Sequence, residues 1–457
     1  MPPDISLLKP LLTPATTFTI PSKETFTEDF NNWTDYALIT PLAVIKPSDE
    51  ADVQTVVKFA LEHDLRVAVR SGGHSVFSSC DGVVLDMRGW DDVYFDEGDG
   101  ESIWFRPGAL NGKVVDVAGG RGRCVVSGAC NSVGLTSLYC GGGLGPLVPK
   151  LGMAIDSLIS ARLVTASGEL LTLSADSNPE IFHMLAGAGQ TLGVVTHMQI
   201  KTYPLNQTVN SSDGTVFFAS FTFPPTKAAE VADLLNTAKW DENTAVYMLV
   251  MAEGETHTPQ FVFSANYFGS DEDAKRALAK LYALKPITKR SERVPYTRMN
   301  HHNDGFGKCR GFKRMIGTGL KQVSAEGLKG MVEALENLIA EGAGDLNRSC
   351  VIFELLGMDT ARRSSVGVYP HRDIDIWCIP TPWYTRPESH ASAEKFGRGV
   401  RKLMKSEDMS EDMRVFTAFR AGDEKPEEIW GSQETAGKVA EMKASIVAEF
   451  NVNVITE

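Results

Sequence analysis

Short apolar runs alternate with glycine-rich loops through the first part of the chain. Between about residues 41 and 204, the runs VAVR, GVVLDM, LISARLVTA and GVVTHMQI have the length and composition of strands. Residues 49–63 instead carry apolar side chains at helical spacing behind an acidic start, which predicts a helix. The pattern therefore predicts an α+β domain whose loops carry the chemistry.

A polar stretch, NQTVNSSDG, follows Pro204 and marks a domain junction. Beyond it, the strand-like runs TVFFASFTF, YMLVMAEG, QFVFSANYF and SCVIFELLG are joined by helical segments at 271–284 and 325–342. Such a series predicts a mostly antiparallel sheet covered by helices. From about residue 412 we expect one strand, MRVFTAF, and a closing helix that packs back onto the first domain. The predicted division is 1–204, 205–411 and 412–457.

Composition excludes several classes of protein. The 457 residues include 45 Lys+Arg against 58 Asp+Glu, a net charge of -13, which argues against nucleic acid or an anionic membrane as the main partner. No apolar run approaches the roughly 18 residues of a membrane span. The N-terminus is a poor secretory signal, so we expect an intracellular location. Seven cysteines without a C-x-x-C pair suggest neither a disulfide framework nor a zinc site, and no metal is expected.

Two glycine loops are the candidate chemistry. The first, RSGGHS at 70–75, follows a strand, and its consecutive glycines allow backbone N–H groups to converge on an anion. Judged by spacing alone, a tight turn with an incidental histidine explains this segment as well as an anion-binding loop does. The second, SGACNSVG at 127–134, is followed by CGGGLGP at 140–146, whose four glycines indicate that something comes very close to the backbone. A flat ring or a pyrophosphate would qualify. Neither loop has the Rossmann or P-loop pattern.

Together these loops resemble a known family. RSGGHS, then GAC-x-x-VG, GGGLGPL and AGAG with GVVT are similar to motifs of the berberine-bridge-enzyme group of FAD-linked oxidases, within the vanillyl-alcohol-oxidase flavoprotein superfamily. The resemblance is strongest over 41–204 and weaker at 294–296, 369–372 and 430–443. It implies an FAD-binding domain in two parts, 1–204 and 412–457, around a substrate domain at 205–411.

The resemblance also implies roles for particular residues. His74 has the position that bonds the flavin 8α-methyl group, and Cys130 the position of a second bond at flavin C6, so the implied cofactor is covalent FAD. The first loop would surround the pyrophosphate through Arg70, Ser71, Gly72, Gly73, His74 and Ser75. The residues expected to line the cofactor through their backbone are Gly128, Val133, Gly134, Gly141, Gly142, Gly145, Gly193 and Val195.

The catalytic pattern of the family is not preserved. Its Tyr-x-Asn-Tyr strand corresponds to VFTAF at 415–419, without phenols or amide, and its base falls near Cys378 or Ile379. We predict four substitute catalytic residues: Asp373, Asp375, Tyr369 and His302. The two aspartates, two apart on a predicted strand, would share a face, and a histidine suits a general base. His301 is a further candidate, and Glu354 is either a buried carboxylate of raised pKa or a partner in an ion pair.

The resulting hypothesis is an FAD-dependent oxidase with a small molecule and O2 as its partners. It would take hydride from a hydrophobic, natural-product-like molecule and produce H2O2, by alcohol oxidation or oxidative ring closure in secondary metabolism. Phe416, Ala418 and Phe419 favour an apolar substrate over a sugar. The alternatives are a non-oxidative cyclase, dehydratase or isomerase that retains its flavin, and a flavin-carrying binding protein. The oligomeric state stays open between monomer and homodimer.

Overall fold

The computed structural model describes residues 4–22, 26, 30–98, 100–253, 257–408, 410 and 412–448. Its strands are β1 (Thr17–Thr19), β2 (Ala43–Lys46), β3 (Val67–Arg70), β4 (Val83–Asp86), β5 (Val93–Phe95), β6 (Ser102–Phe105), β7 (Arg123–Cys124), β8 (Leu158–Thr165), β9 (Leu170–Ser174), β10 (Gly193–Lys201), β11 (Tyr203–Pro204), β12 (Thr215–Phe223), β13 (Thr244–Glu253), β14 (Thr258–Tyr267), β15 (Thr288–Pro295), β16 (Phe312–Lys313), β17 (Thr318–Leu320), β18 (Cys350–Leu356), β19 (Ile376–Thr381) and β20 (Trp383–Tyr384).

The α-helices are α1 (Glu50–Glu62), α2 (Asn111–Gly120), α3 (Leu135–Cys140), α4 (Val148–Leu151), α5 (Pro179–Ala188), α6 (Leu205–Thr208), α7 (Ala228–Thr237), α8 (Asp271–Ala277), α9 (Ala279–Ala283), α10 (Ala325–Glu341), α11 (Asp359–Arg362), α12 (His390–Glu407), α13 (Pro426–Trp430) and α14 (Gln433–Ala448). Short 3-10 helices cover Ile5–Leu11, Met87–Gly89, Ala154–Ser157, Gly189–Thr191, Pro225–Lys227, Tyr296–Arg298, His301–Asn303, Pro387–Ser389 and Thr417–Phe419. Among the described residues, no helix is both long and apolar enough to cross a membrane.

A four-stranded sheet, in the order β1-β2-β4-β3, begins the fold. Strands β2, β4 and β3 are parallel, and β1 pairs antiparallel with β2 at the edge. The Asp49 side chain accepts a hydrogen bond from Asp52 N–H and caps α1, which buries Val53, Val56 and Val57. The helix predicted over 49–63 is therefore confirmed. Strand β3 ends at Arg70, so it delivers the chain directly into the first glycine loop.

The second sheet has five antiparallel strands in the order β5-β6-β10-β8-β9. The second glycine loop lies between β7 and α3, and the triple glycine lies between α3 and α4. A further glycine turn joins α5 to β10. The glycine-rich segments are thus the connections between short elements of one apolar cluster.

The third sheet has seven strands in the order β15-β12-β14-β13-β18-β19-β17, and each of its pairings is antiparallel. One face shares an apolar cluster with helices α7, α10 and α12. The other face contributes Tyr247, Leu356 and Trp377 to the cluster that contains the second sheet. The predicted antiparallel sheet with helices on one side is confirmed, and its uncovered face is turned toward the glycine loops.

One local prediction is confirmed with a change and one is wrong. The helix predicted at 271–284 is present as two short helices, α8 and α9, with Leu278 between them at a φ of -92° and a ψ of 10°. The strand predicted over MRVFTAF is a 3-10 helix at Thr417–Phe419. Phe416 and Phe419 turn their rings to within 5.0 Å of each other, which alternating strand positions would not allow.

The last helices also contribute to the first apolar cluster. Trp430 in α13 and Val439 in α14 are buried in the cluster that includes Leu185 of α5. The domain boundaries at 204 and 411 stay predictions.

Candidate functional site

The first two glycine loops are packed directly against each other. A Cβ atom added at Gly72 would lie 2.6 Å from Gly134 N and 2.7 Å from Ser132 O, so a larger residue would separate the loops. Gly73 has a φ of +69°, in the left-handed region that favours glycine. Two segments predicted from separate motifs therefore form one structure.

His74 is held on one face and at one nitrogen. Its ring stacks on Trp33, with centroids 5.0 Å apart and planes inclined by 12°. Its Nε2 lies 2.8 Å from Ser132 Oγ. Burial, with a contribution from the Lys313 ammonium, lowers the pKa of His74 to about 3. The imidazole is consequently neutral at physiological pH and has a free lone pair on one nitrogen.

Cys130 lies beside the same serine. The Cys130 Sγ atom is 3.4 Å from Ser132 Oγ. The Ser132 hydroxyl group therefore contacts both His74 and Cys130, the two side chains for which the resemblance implies a bond to the flavin.

The other polar side chains of the first loop, those of Arg70, Ser71 and Ser75, contact other groups of the protein. The Arg70 guanidinium is buried, donates to Asp86 at 3.4 Å and lies 3.9 Å from the Phe30 ring centroid. Burial lowers the pKa of Arg70 to about 10. Ser71 Oγ donates to Pro107 O at 2.5 Å, and Ser75 Oγ accepts from Phe77 N–H at 3.1 Å. Because these side chains already have partners within the protein, we expect the loop to contact a cofactor mainly through its backbone.

The triple glycine lies against the segment that contains Tyr369. Gly142 has a φ of +116°, and a Cβ there would lie 2.8 Å from the Tyr369 ring. At Gly145 a Cβ would lie 1.8 Å from Ser127 O. The loop needs glycine here because other parts of the chain, Tyr369 and Ser127, come close to it, whereas the sequence suggested the approach of a flat ring or a pyrophosphate.

The other predicted lining residues lie along the same strands and loops. Gly141 O accepts from Thr417 Oγ1 at 3.4 Å, and Val133 O accepts from Asn111 N–H. Gly193 starts β10 with a φ of +153°, and Val195 is buried two residues on. A Cβ at Gly128 would lie 2.6 Å from Leu138 Cδ1.

Buried polar atoms along these loops have no partner among the described residues: Ser127 Oγ, Thr136 Oγ1, and both Nε2 and Oε1 of Gln190. Such atoms are rarely left unpaired, because each costs about 1–3 kcal/mol. Together with the glycine loops at 70–75, 127–134 and 140–146, these unpaired atoms fit a bound flavin dinucleotide.

A row of three polar side chains crosses the face of the third sheet that is turned toward the loops. Tyr247 on β13 is directly opposite Glu354 on β18, which is directly opposite Trp377 on β19. Directly opposite residues point to the same face and are neighbours. Tyr247 Oη, Glu354 Oε2 and Trp377 Nε1 have no hydrogen-bond partner among the described residues. We call Tyr247, Glu354 and Trp377 the polar row.

The polar row has unusual electrostatics. Burial raises the pKa of Glu354 to about 7. Burial also raises the pKa values of Tyr247 and Tyr369, and the negative charge on Glu354 adds to both shifts. Tyr369 Oη is a fourth unpartnered atom. Phe416 adds an apolar ring beside the row and contacts both Tyr369 and Trp377, with centroids 5.6 and 5.9 Å away. Ser264 on β14, directly opposite Tyr247, continues the row with a polar residue.

The structure separates the predicted aspartates from this row. Asp373 pairs with Lys321 at 2.5 Å, and both side chains are about half exposed. Asp375 pairs with Arg362 at 2.5 Å and accepts from Met358 N–H at 3.0 Å. Both precede β19, which begins at Ile376, so the prediction that they share a strand is wrong. Of the predicted catalytic residues, only Tyr369 lies with the row.

His302 lies at the edge of the same sheet face. Its exposed ring is 4.5 Å from that of Phe218, while the neighbouring His301 Nε2 contacts Arg298 at 2.8 Å. The segment around it binds the second glycine loop: Asn300 donates to Gly128 O and Asn303 to Ala129 O, both at 2.9 Å. The segment from Asn300 to Asn303 therefore holds the Cys130 loop, a role that no sequence pattern indicated.

Comparison with known proteins agrees with this geometry. Residues 41–174 match the family model described as an FAD binding domain. The FAD-linked oxidoreductase hasG of Aspergillus fumigatus is 26% identical over 398 residues, 83% of each chain. FmqD, an FAD-linked oxidoreductase of the same species, is 26% identical over 461 residues, 95% of this chain and 89% of that one. (R)-6-hydroxynicotine oxidase of Paenarthrobacter nicotinovorans is 30% identical over 261 residues, 56% of this chain and 55% of its own.

Solved structures share the fold over nearly the whole chain. 6-Hydroxy-D-nicotine oxidase from Arthrobacter nicotinovorans superposes with a TM-score of 0.82 at 22% identity, covering 96% of both chains. BBE-like 1 of Physcomitrella patens has a TM-score of 0.82 at 15% identity, covering 97% of both. Xylooligosaccharide oxidase from Myceliophthora thermophila has a TM-score of 0.80 at 20% identity, covering 98% of both. The predicted fold class is confirmed.

Proposed function

We propose, from the premise that this chain is an FAD-linked oxidoreductase of the berberine-bridge-enzyme-like group, that it oxidises a small, largely apolar molecule beside the polar row. The row carries the proposal: three neighbouring side chains keep buried polar atoms that have no partner among the described residues, on the sheet face that is turned toward the glycine loops. Unpaired buried groups of this kind are expected where a ligand supplies the partner.

Glu354 is the proposed proton acceptor. A carboxyl group with a pKa of about 7 is present in both protonation states near neutral pH, which suits a general base. It accepts the proton of a substrate hydroxyl or amine as the adjacent carbon gives up a hydride. FAD, when bound, supplies the hydride acceptor and returns the electrons to O2 with release of H2O2.

The other polar groups orient the substrate. Trp377 Nε1 can only donate a hydrogen bond, whereas the hydroxyl groups of Tyr247 and Tyr369 can donate or accept. Phe416 and Phe419 add buried apolar side chains near the row, which favours a substrate with few hydroxyl groups. The relative named 6-hydroxynicotine oxidase supports a small-molecule substrate. We place the reaction among alcohol oxidations and oxidative ring closures of secondary metabolism.

The FAD is proposed to be bonded to the protein through His74 and Cys130. A neutral imidazole and a cysteine that contact the same hydroxyl group support this attachment. The intact mass of purified protein after acid denaturation tests it. Retained flavin mass is expected, and complete release of the flavin would contradict it.

Flavin reduction tests the oxidation itself. The holoenzyme is mixed anaerobically with a panel of small apolar alcohols and amines, and the flavin absorbance is followed before air is admitted and H2O2 measured. A substrate should bleach the flavin and then yield H2O2 in wild type, but not in Glu354→Gln. The variant Asp375→Asn is the matched control, because Asp375 is ion-paired outside the row. Product formed without bleaching or H2O2 would instead favour a non-oxidative cyclase, dehydratase or isomerase.

A further inference from the structure

We propose that Ser132 is the positioning residue for both flavin tethers, holding His74 and Cys130 through a single hydroxyl group. This inference rests on the covalent attachment proposed above. Ser132 Oγ lies 2.8 Å from His74 Nε2, 3.4 Å from Cys130 Sγ and 3.3 Å from Gly307 O.

The three contacts match what one hydroxyl group can do. A hydroxyl donates one hydrogen bond and accepts up to two. The neutral imidazole of His74 carries one N–H, which donates to Ser132 Oγ when it is on Nε2. Ser132 O–H then donates to Gly307 O or Cys130 Sγ. In this arrangement, the lone pair of His74 is on Nδ1, the nitrogen that Ser132 leaves free.

The position of Ser132 is set from three sides. Its carbonyl oxygen would lie 2.7 Å from a Cβ at Gly72, so the first glycine loop closes over it. Gly307 lies against the Ser132 side chain, because a Cβ added at Gly307 would be 2.6 Å from Ser132 Oγ. Asn131, one residue earlier, donates to Asp304 Oδ1 at 2.9 Å. The hydroxyl is therefore anchored by parts of the chain that are distant in sequence.

A second contact restrains the imidazole. Trp33 stacks on the ring of His74, and the Lys313 Nζ atom lies 4.5 Å from the Trp33 ring centroid. Stacking sets the plane of the imidazole but is compatible with two ring orientations that differ by a half-turn about the Cβ–Cγ bond. The hydrogen bond between Nε2 and Ser132 Oγ selects one of these two orientations.

Ser132 would assist the formation of two bonds to the flavin, one from His74 and one from Cys130. A His74 nitrogen bonds the flavin 8α carbon, which loses a proton, while the imidazole loses its own proton. Cys130 sulfur bonds flavin C6, with loss of the thiol proton and of the C6 proton. Each bond leaves one electron pair on the flavin, and O2 accepts each pair with two protons to give H2O2. Ser132 itself is unchanged.

The experiment compares Ser132→Thr with Ser132→Val, two variants of the same shape that differ in the hydroxyl group. Each is made in wild type and in the single-tether backgrounds His74→Ala and Cys130→Ala. Covalent flavin per chain is measured by intact mass after acid denaturation, and total flavin by absorbance before it. Ser137→Ala is the matched control, because Ser137 Oγ donates to Gly134 O in the same region without contacting either tether.

We expect Ser132→Val to lower the ratio of covalent to total flavin about fivefold in both backgrounds, the effect of one lost hydrogen bond. Ser132→Thr and Ser137→Ala should keep the wild-type ratio. An unchanged ratio in Ser132→Val, or an equal fall in Ser132→Thr, would overturn the role of Ser132. A wild-type protein without covalent flavin would instead contradict the attachment itself, so the two failures are distinguishable.

Discussion

The two faces of the seven-stranded sheet are built by the same strands and serve different purposes. On either side of the polar row, the adjacent positions of the same strands share one apolar cluster with the helices, and all six are buried: Val246, Met248, Phe353, Leu355, Ile376 and Cys378. One residue along each strand, the opposite face carries Tyr247, Glu354 and Trp377 with unpartnered polar atoms. Alternation along a strand therefore places the residues packed against helices and the residues with unpartnered polar atoms a single position apart.

The difference teaches what each face can tolerate. Helices α7, α10 and α12 permanently cover the apolar face, so an unpaired polar atom there would have no means of finding a partner. The polar row is turned toward the glycine loops, where a ligand can supply partners. Glu354 and Phe353, neighbours in sequence, should accordingly respond to mutation in opposite ways.

The largest effect is expected from Glu354→Gln. Loss of the proton acceptor should lower the rate of substrate-dependent flavin reduction by about 10²- to 10⁴-fold. Flavin content and thermal stability should be retained, because the amide has the same shape. Stopped-flow absorbance measures the rate, and a variant that reduces its flavin at the wild-type rate would remove Glu354 from the mechanism.

Phe353→Ala tests the opposite face. Phe353 is fully buried, and truncation of a buried Phe costs about 3–5 kcal/mol of the free energy of unfolding. Urea denaturation measures this cost. The rate of flavin reduction per folded, flavin-loaded molecule should stay close to wild type, and a selective loss of rate would contradict the separation of the two faces.

The pH dependence of flavin reduction sharpens the assignment of Glu354. Its pKa of about 7 makes the ionised base scarce below that pH, so the rate should rise with pH up to about 7 and then level off. Stability runs in the other direction: a carboxyl pKa raised above its unfolded value makes the free energy of unfolding fall as pH rises from about 4.5 to about 7. Both dependences should be weaker in Glu354→Gln, and an unchanged rate profile there would assign the titration to another group.

Tyr247→Phe should have a moderate effect. Loss of one hydrogen bond to substrate is expected to raise KM by about tenfold at most. Thermal stability should not fall, because the removed hydroxyl has no partner among the described residues. A measured loss of stability without a change in KM would show that the hydroxyl group supports the fold instead.

The smallest effects are expected from Asp373→Asn and Asp375→Asn. Both remove exposed ion pairs, which contribute about 0–1 kcal/mol. Rates of flavin reduction should match wild type. A loss of rate comparable to that of Glu354→Gln would restore the aspartates as catalytic candidates.

Much of the proposed cofactor site can be predicted from short sequence motifs. Gly72, Gly73 and Gly142 are required by close approach and positive φ, demands that a local pattern records. His74 and Cys130 are proposed from their motifs, although nothing local indicates that Ser132 Oγ contacts both of them. The strand predicted at 413–419 failed because the rings of Phe416 and Phe419 pack inward around a tight turn.

By itself, the sequence determined the glycine loops, the alternating strands and the presence of an FAD-binding domain, because each depends on neighbouring residues. Only the tertiary structure decided which acidic residue lies inside. Asp373 and Asp375 look like a catalytic pair in sequence but end in ion pairs with Lys321 and Arg362. Glu354 meets Tyr247 and Trp377 through strand register, and register between strands so far apart along the chain is set by pairing and burial in three dimensions.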